Sequence, residues 1–181
     1  MGGFLAAARS SLRAFGGRST AEPVDPAAVT WGHALAAVAI LVVAVTASIL
    51  LPAGDLIVQL LPIMANLLTV SFAILAVPFL MLAIVAVGTR QNEKLPLLVL
   101  FTALSLLVIQ ATSLALSLFG FNTSAALIGV TAFFVGRAAR TVLGVSVGNA
   151  ILIALLTAAG IFAASFLFFA LPDAQAILDG I

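Results

Sequence analysis

The chain of 181 residues contains 64% hydrophobic residues and only 7% charged residues, whereas a soluble domain has roughly 25% charged residues. It has no cysteine, which excludes disulfides, iron–sulfur clusters, thiolate metal sites and thiol catalysis. The formal charge of +1 gives no support to nucleic-acid binding. The composition predicts an integral membrane protein of the all-α class, built as one polytopic helical bundle with short loops.

Residues 1–30 are predicted to form a cytoplasmic leader and linker before the first long apolar stretch. Over residues 4–18, apolar side chains and the arginines Arg9, Arg13 and Arg18 fall on different faces of a helical projection. This pattern is typical of a short amphipathic helix in the lipid headgroup layer, where the arginines would meet anionic lipid. A basic tail without fixed structure is the alternative, because the first 18 residues include four glycines.

The first span is predicted at residues 31–51. Trp31 suits the headgroup depth at which tryptophan anchors membrane helices. His33, the only histidine of the chain, has two interpretations: a solvated interfacial residue, or an axial ligand of a haem or chlorin. The first interpretation is favoured, since no second histidine exists to complete a bis-histidine site.

The second span is predicted at residues 62–87. Residues 56–89 carry no charge over 34 positions, which is more than one straight crossing needs and less than two crossings need. Pro62 suits the first turn of a helix. Pro78 lies inside the span, removes a backbone hydrogen bond and is predicted to kink the helix. The kink is interpreted either as a gate or as a bend that lets the helix pack against its neighbours. Packing is favoured, because no intramembrane charge that a gate would serve lies near the proline.

The third and fourth spans are predicted as a hairpin. Residues 95–136 are uncharged over 42 positions, or about 63 Å of helix, which is too long for one crossing. The turn is expected at residues 119–123, between a third span at 96–118 and a fourth at 124–140. A re-entrant segment is the alternative for the fourth, because only 14 residues from Thr123 to Gly136 are free of charge.

The last span is predicted at residues 147–171. Pro172 ends it, and residues 173–181 form a short tail with two acidic residues. The transmembrane domain, residues 31–172, therefore contains five crossings. An odd number of crossings places the termini on opposite faces, with the N-terminus cytoplasmic and the C-terminus external.

The basic residues support this count and orientation. All seven lie at the ends of uncharged stretches, and with five crossings all seven fall on one face of the membrane. Under the positive-inside rule that face is the cytoplasm. They form three clusters: Arg9, Arg13 and Arg18; Arg90 and Lys94; Arg137 and Arg140.

The centres of the predicted spans hold no ionised side chain. Proton-coupled transport, voltage sensing and carboxylate metal sites therefore lack their working residues, and no acid–base pair for catalysis can be assembled. We predict neither enzyme activity nor a cofactor. The neutral polar groups are interpreted as hydrogen-bonding glue between helices, which is favoured, or as a substrate path. They are Asn66, Gln110 and Asn149, with the hydroxyls of Thr69, Ser71, Thr102, Ser105, Thr112 and Ser113.

Small residues spaced four apart predict close helix packing in the last two spans, and self-association is a further interpretation. Such spacing lets helix backbones approach one another. The pairs are Gly144 with Gly148, Ala125 with Gly129, and Gly160 with Ala164.

Two stretches resemble the Yip1 family of small five-span membrane proteins. Residues 138–150, Ala-Ala-Arg-Thr-Val-Leu-Gly-Val-Ser-Val-Gly-Asn-Ala, are similar to the family's basic exit from helix four and its Leu-Gly-x-Ser lead into helix five. Residues 77–90 resemble its second helix and short polar loop. The chain departs from the family in lacking tyrosine and a long acidic, proline-rich leader. The resemblance implies a non-enzymatic role in membrane organisation or trafficking through protein partners.

Three function classes follow. The favoured one is a structural, adaptor or membrane-organising subunit that contacts itself or other membrane proteins. The second is a small transporter or channel for a neutral or lipidic solute, suggested by Pro78 and the three amides. The third is a pigment- or haem-associated subunit that uses His33. Lipids are the immediate partners in each case, and the bacterial inner membrane is the expected location.

Overall fold

The computed structural model describes residues 29–50, 61–117, 119–120 and 124–166, and these form five α-helices without strands. All five helices are long and apolar enough to cross a membrane, which confirms the predicted all-α bundle of five apolar helices. The predicted N-terminal amphipathic helix and the acidic tail lie outside the described residues. The helices are α1 (Trp31–Leu50), α2 (Leu61–Gly88), α3 (Leu95–Ser117), α4 (Ser124–Leu143) and α5 (Val147–Ser165), with a 3₁₀ turn at Asn92–Lys94.

The fourth helix is continuous over 20 residues and extends three residues beyond its predicted end at Arg140. Its chain reverses only at Gly144, whose φ of 67° is the left-handed conformation that commonly ends a helix. Arg137 and Arg140 therefore lie within the last two turns of α4 and lengthen it. This length is sufficient for a crossing, so α4 needs no re-entrant geometry.

The start of α1 is set by Thr30. Its carbonyl oxygen accepts hydrogen bonds from the backbone N–H groups of His33 and Ala34, at 3.1 and 3.2 Å. The Nδ1 atom of His33 in turn accepts from the backbone N–H of Thr30 at 3.4 Å. The bond from Thr30 N–H to His33 is one half of a capping box, with histidine at the position where Glu or Gln is usual. The histidine thus helps to define where the first span begins.

Four residues of α1 that face the bundle are buried at intervals of three and four. They are Ala34, Ala37, Leu41 and Val45, and they join residues of α3 in one hydrophobic cluster. The opposite face exposes large apolar side chains such as Leu35 and Val43, as expected of a helix whose outer side contacts lipid. α1 therefore attaches to the bundle along a single narrow face.

The remaining helices pack unequally. α4 and α5 share the most extensive contact, α1 and α3 the next, and α2 contacts each of the other four helices. α3 is the most enclosed, with half of its spanning residues buried. α3 is thus the most buried helix, and α2 is the one that contacts all the others. The half of the bundle near the α2–α3 turn is filled by a cluster that we call the basic-end core: Leu82, Ala86, Leu98, Phe101, Val135, Ala138, Ala139, Leu143 and Ile153.

α2 ends in a Schellman motif with Arg90 at the position usually taken by glycine. The backbone N–H of Arg90 donates to the Val87 carbonyl at 3.0 Å, and that of Gln91 donates to the Ala86 carbonyl at 2.8 Å. Arg90 has a φ of 56°, a conformation that costs a residue with a Cβ about 1–2 kcal/mol. The motif directs the following residues toward the end of α4.

The α2–α3 turn satisfies the last carbonyls of α4. The amide nitrogen of Gln91 donates to the Leu143 carbonyl at 3.0 Å, and Lys94 Nζ donates to the Val142 carbonyl at 3.0 Å. A further end carbonyl, that of Arg140, accepts from the N–H of Gly144 at 3.1 Å. An ammonium at the C-terminus of a helix also interacts favourably with the helix dipole. These contacts connect the turn to a helix about 50 residues away in sequence.

The glycines that pack helices together are Gly136 and Gly160. A Cβ at Gly136 would stand 2.6 Å from the carbonyl oxygen of Ala150 and 3.1 Å from the Cβ of Ala154, and a Cβ at Gly160 would stand 2.9 Å from Val77 Cγ1. Gly136 is therefore where α4 meets α5, and Gly160 is where α5 meets α2. Gly160 thus packs against α2, whereas the predicted Gly160 and Ala164 pair concerned packing in the last two spans.

The other predicted small residues do not make close contacts between the described helices. Gly144 lies in the α4–α5 linker, and no other part of the described chain comes within 4 Å of a Cβ placed at Gly144, Gly148 or Gly129. The reason is orientation: Gly129 and Gly148 are on the exposed side of their helices. The side chain of Ala125 lies outside the described residues, and Ala164 is half-buried.

Gly136→Ala is expected to lower the stability of the bundle by about 1–3 kcal/mol, because the methyl group would meet a backbone carbonyl that cannot move aside cheaply. Gly129→Ala is the matched control on the same helix, and it should be neutral or stabilising by up to about 1 kcal/mol through helix propensity. Thermal unfolding of both variants in one detergent measures the difference. Equal effects from the two substitutions would show that α4 and α5 do not touch at Gly136.

Candidate functional site

Four basic side chains lie at one end of the bundle, which we call the basic end. Lys94 contacts the end of α4 directly, Arg90 precedes it in the same turn, and Arg137 and Arg140 lie in the last two turns of α4. This placement is what the predicted topology requires of these two clusters. The third cluster, Arg9, Arg13 and Arg18, lies outside the described residues.

The three amides predicted at bilayer depth occupy three different environments. Asn149 is the third residue of α5, with its side chain exposed and its backbone N–H bonded to Ser146 Oγ at 3.3 Å. It therefore belongs to a helix start and not to the centre of a span. Asn66 lies in the second turn of α2, and its Nδ2 atom is buried with no hydrogen-bond partner among the described residues. Gln110 lines a cavity within the bundle.

That cavity has a volume of about 370 Å³ and is partly enclosed by α2, α3, α4 and α5. Its position follows from its lining, which comes from the middle of α2, the second half of α3, the start of α4 and the end of α5. This is the half of the bundle opposite the basic end. Pro78 lies at its inner limit, beyond which the basic-end core begins. The lining consists of Ser71, Ile74, Leu75, Pro78, Leu106, Ile109, Gln110, Leu127, Ile128, Thr131, Ile161 and Ser165.

The cavity brings together neutral polar groups on otherwise apolar walls. Among the described residues, no hydrogen bond engages the side chains of Ser71, Gln110 or Thr131. Pro78, which has no N–H to donate to the carbonyl of Ile74, lines the cavity together with Ile74. The cavity therefore offers the amide of Gln110 and the hydroxyls of Ser71 and Thr131 as polar groups.

Most other hydroxyls within the helices are satisfied by their own helix. Thr102 Oγ1 donates to the Leu98 carbonyl at 2.7 Å, and Ser105 Oγ donates to the Phe101 carbonyl at 2.6 Å. Thr69, Thr112 and Thr157 bond in the same way, each to the carbonyl four residues earlier. These five hydroxyls thus bond within helices, whereas the favoured interpretation expected bonds between helices. Ser71 and Thr131 differ from them, which marks the cavity as distinct.

The described helices do not bring together ionisable side chains that could bind a metal ion. Within the described residues, no three His, Asp or Glu side chains come together as metal ligands would. His33 lies at the end of α1 and takes part in its cap, while the cavity lies among the other four helices. Haem or pigment binding at His33 stays a prediction, and the position of His33 in the helix cap adds no support to it.

Sequence alone does not predict every residue of the site. Thr131 is absent from the polar candidates predicted above, although its spacing of seven from Ala138 places both on the packed face of α4. Ile74 lies four residues before Pro78, and no other local signal marks it. Gln91 belongs to a polar loop, and its bond to a distant helix end has no local sequence signal.

The chain has no match among protein-family models, curated proteins or solved structures.

Thr131→Val is expected to change the stability of the protein by no more than about 0.5 kcal/mol, because its hydroxyl gives up no hydrogen bond within the protein. Thr157→Val is the matched control: its hydroxyl bonds to the Ile153 carbonyl at 2.7 Å and the residue is fully buried. Its loss should cost about 1 kcal/mol. Thermal unfolding compares the pair, and an equal loss from both would mean that Thr131 is engaged by the protein rather than available to a ligand.

Proposed function

We propose that the protein is a non-enzymatic integral membrane protein that binds and carries a small neutral or lipidic solute in the cavity between α2, α3, α4 and α5. The observation that carries this proposal is the cavity itself, which combines unpaired neutral polar groups with apolar walls. Small-molecule sites in proteins are mostly apolar clefts of about 300–1,000 Å³ with a few placed polar groups. A volume of about 370 Å³ is at the lower end of this range, which favours a small solute.

The lining supports a neutral solute over an ion. Among the described residues it contains no Asp, Glu, Lys, Arg or His, so an ion among these side chains would lose hydration without meeting an opposite charge, at a cost of several kcal/mol. A hydroxyl, carbonyl or amide on the solute would instead pair with Gln110, Thr131 or Ser71. The apolar remainder of such a solute would contact Leu106, Ile109 and their neighbours.

The arrangement along the bundle axis supports access from one side. Below Pro78 the space narrows to a void of about 10 Å³ between Thr102, Ser105 and Thr131, and the basic-end core then closes the bundle. A void of that size holds about one water molecule at most. Passage to the basic end would require α2 to move at Pro78, where the helix lacks one backbone hydrogen bond.

We place the protein in a bacterial inner membrane with its basic end toward the cytoplasm. Support comes from the positive-inside rule and from the shared end of Arg90, Lys94, Arg137 and Arg140. The cavity would then open toward the external side.

A membrane-organising subunit is the second candidate. The exposed glycines Gly129 and Gly148, where a Cβ would meet nothing else in the described residues, could receive a helix of another protein or of a second copy. The resemblance to the Yip1 family supports the same role. A membrane-organising subunit does not need Gln110, whereas the solute-binding protein does. Replacing Gln110 therefore distinguishes the two candidate functions.

Gln110→Leu is expected to reduce binding of a neutral solute about tenfold, because one hydrogen bond in a water-poor site contributes about 1–1.5 kcal/mol. The probe is an alkyl alcohol that carries a diazirine group, photolysed with the full chain in proteoliposomes. Mass spectrometry then measures the labelled peptides. Asn149→Leu, which removes an exposed amide at the opposite end, is the control and should label normally.

Glycerol influx into the same proteoliposomes measures carriage. We expect protein-dependent influx that falls in Gln110→Leu and not in Asn149→Leu. Labelling that is unchanged by Gln110→Leu would contradict the binding proposal and favour the membrane-organising role. Labelling that depends on Gln110 without any influx would leave a binding protein and overturn the carrier.

A further inference from the structure

A second concave site lies on the outside of the bundle, between α4 and α5 at the basic end. It is a groove of about 380 Å³, separate from the internal cavity. Five residues of α4 and four of α5 line it, at helical intervals of three and four, so each helix contributes one continuous stripe. The lining residues are Phe133, Gly136, Arg137, Arg140, Thr141, Val147, Ala150, Ile151 and Ala154.

The groove has a floor of small residues and apolar walls. Gly136 meets Ala150 and Ala154 where the two helices touch, and the absence of larger side chains there leaves a channel along the contact. Phe133 and Ile151 stand on either side, 58% and 56% exposed. On a membrane protein, an open apolar channel of this kind faces lipid chains rather than water.

Two guanidinium groups border the same groove. Arg137 and Arg140 are three residues apart on α4 and lie about 9 and 4.5 Å from its C-terminal end at 1.5 Å per residue, so their flexible side chains reach headgroup depth. Among the described residues, no acidic residue lines the groove. Lys94 at the same end lies outside the groove and is bonded to the Val142 carbonyl. The groove thus combines positive charge at the headgroup level with apolar surface at the acyl-chain level.

We propose that this groove binds an anionic phospholipid, with the phosphate at Arg137 and Arg140 and one acyl chain along the channel over Gly136, Ala150 and Ala154. Guanidinium groups match phosphate geometry and offer paired hydrogen bonds. Basic pockets between membrane helices are suited to anionic headgroups. The position of the channel directly below the arginines selects a lipid, since a free phosphate would use the charge and leave the apolar stripe uncovered.

The test uses the full chain in mild detergent with two probes that have identical acyl chains, phosphatidylglycerol and phosphatidylcholine. Native mass spectrometry measures the apparent affinity for each. We expect phosphatidylglycerol to bind more tightly, and Arg140→Gln to weaken its binding about fivefold, since one arginine near the headgroups contributes about a factor of five. Arg90→Gln removes the same charge from the same end outside the groove and should change binding less than twofold.

A second pair of variants tests the acyl channel without altering charge. Phe133→Ala removes a wall of the groove and should weaken both lipids, while Phe162→Ala, equally exposed on α5 and outside the groove, should weaken neither. Equal binding of the two lipids, equal losses in Arg140→Gln and Arg90→Gln, or equal losses in the two phenylalanine variants would each overturn the proposal. Displacement of phosphatidylglycerol by the same concentration of inorganic phosphate would also overturn it, because the acyl chain would then contribute nothing.

Discussion

Exclusion of unpaired charge from the hydrocarbon layer governs how this chain is arranged. A backbone in lipid must satisfy its own hydrogen bonds, which leaves helices as the elements available, and ionised side chains are tolerated only where they reach the headgroups. Accordingly, the described Lys and Arg side chains lie at one end of the bundle. There Lys94 and Gln91 donate to the last carbonyls of α4, so the turn between α2 and α3 both positions charge and completes a helix end. The same contacts hold three helices in register.

The two halves of the bundle differ in how tightly their helices pack. Near the basic end, large apolar residues from four helices form a packed core, and Gly136 allows α4 and α5 to touch. In the opposite half, Pro78 interrupts the hydrogen bonding of α2, and the helices surround a cavity with unpaired polar groups. One half of the bundle is therefore tightly packed and the other contains a cavity, so the two ends are not equivalent. This difference is the physical basis for proposing solute binding in one half and lipid contact at the other end.

The sequence was a good guide to where helices begin and end, and a poor guide to which of their faces meet. Uncharged runs, Pro62, Gly120 and the basic clusters are local signals, and the ends of the first four helices agree with them to within three residues. Helix faces depend on partners far along the chain. Gly144 and Gly148 have the spacing of a packing motif, yet one lies in a linker and the other faces outward. Gly136 packs closely because Ala150 and Ala154 lie opposite it. The spacing of residues within α4 cannot predict which residues of α5 lie opposite.

The candidate site shows the same division. Gln110 and Pro78 were identified from the sequence because an amide and a proline within an apolar helix are conspicuous. Their meeting at one cavity, together with Thr131 and Ile74, depends on the rotation of α2, α3 and α4 about their axes. Asn149 looked equivalent to Gln110 in the sequence, but the start of α5 two residues before it places it at a helix end.

Because the chain has no cysteine, single cysteines can report directly on which side of the membrane each turn lies. The exposed residues Asn92, Phe119 and Ser146 mark the α2–α3 turn, the region between α3 and α4, and the α4–α5 linker. A membrane-impermeant maleimide added to sealed cells should label Phe119→Cys at once, and should label Asn92→Cys and Ser146→Cys only after the cells are permeabilised. Labelling of Phe119→Cys and either of the other two from the same side would contradict both the five crossings and the cytoplasmic basic end.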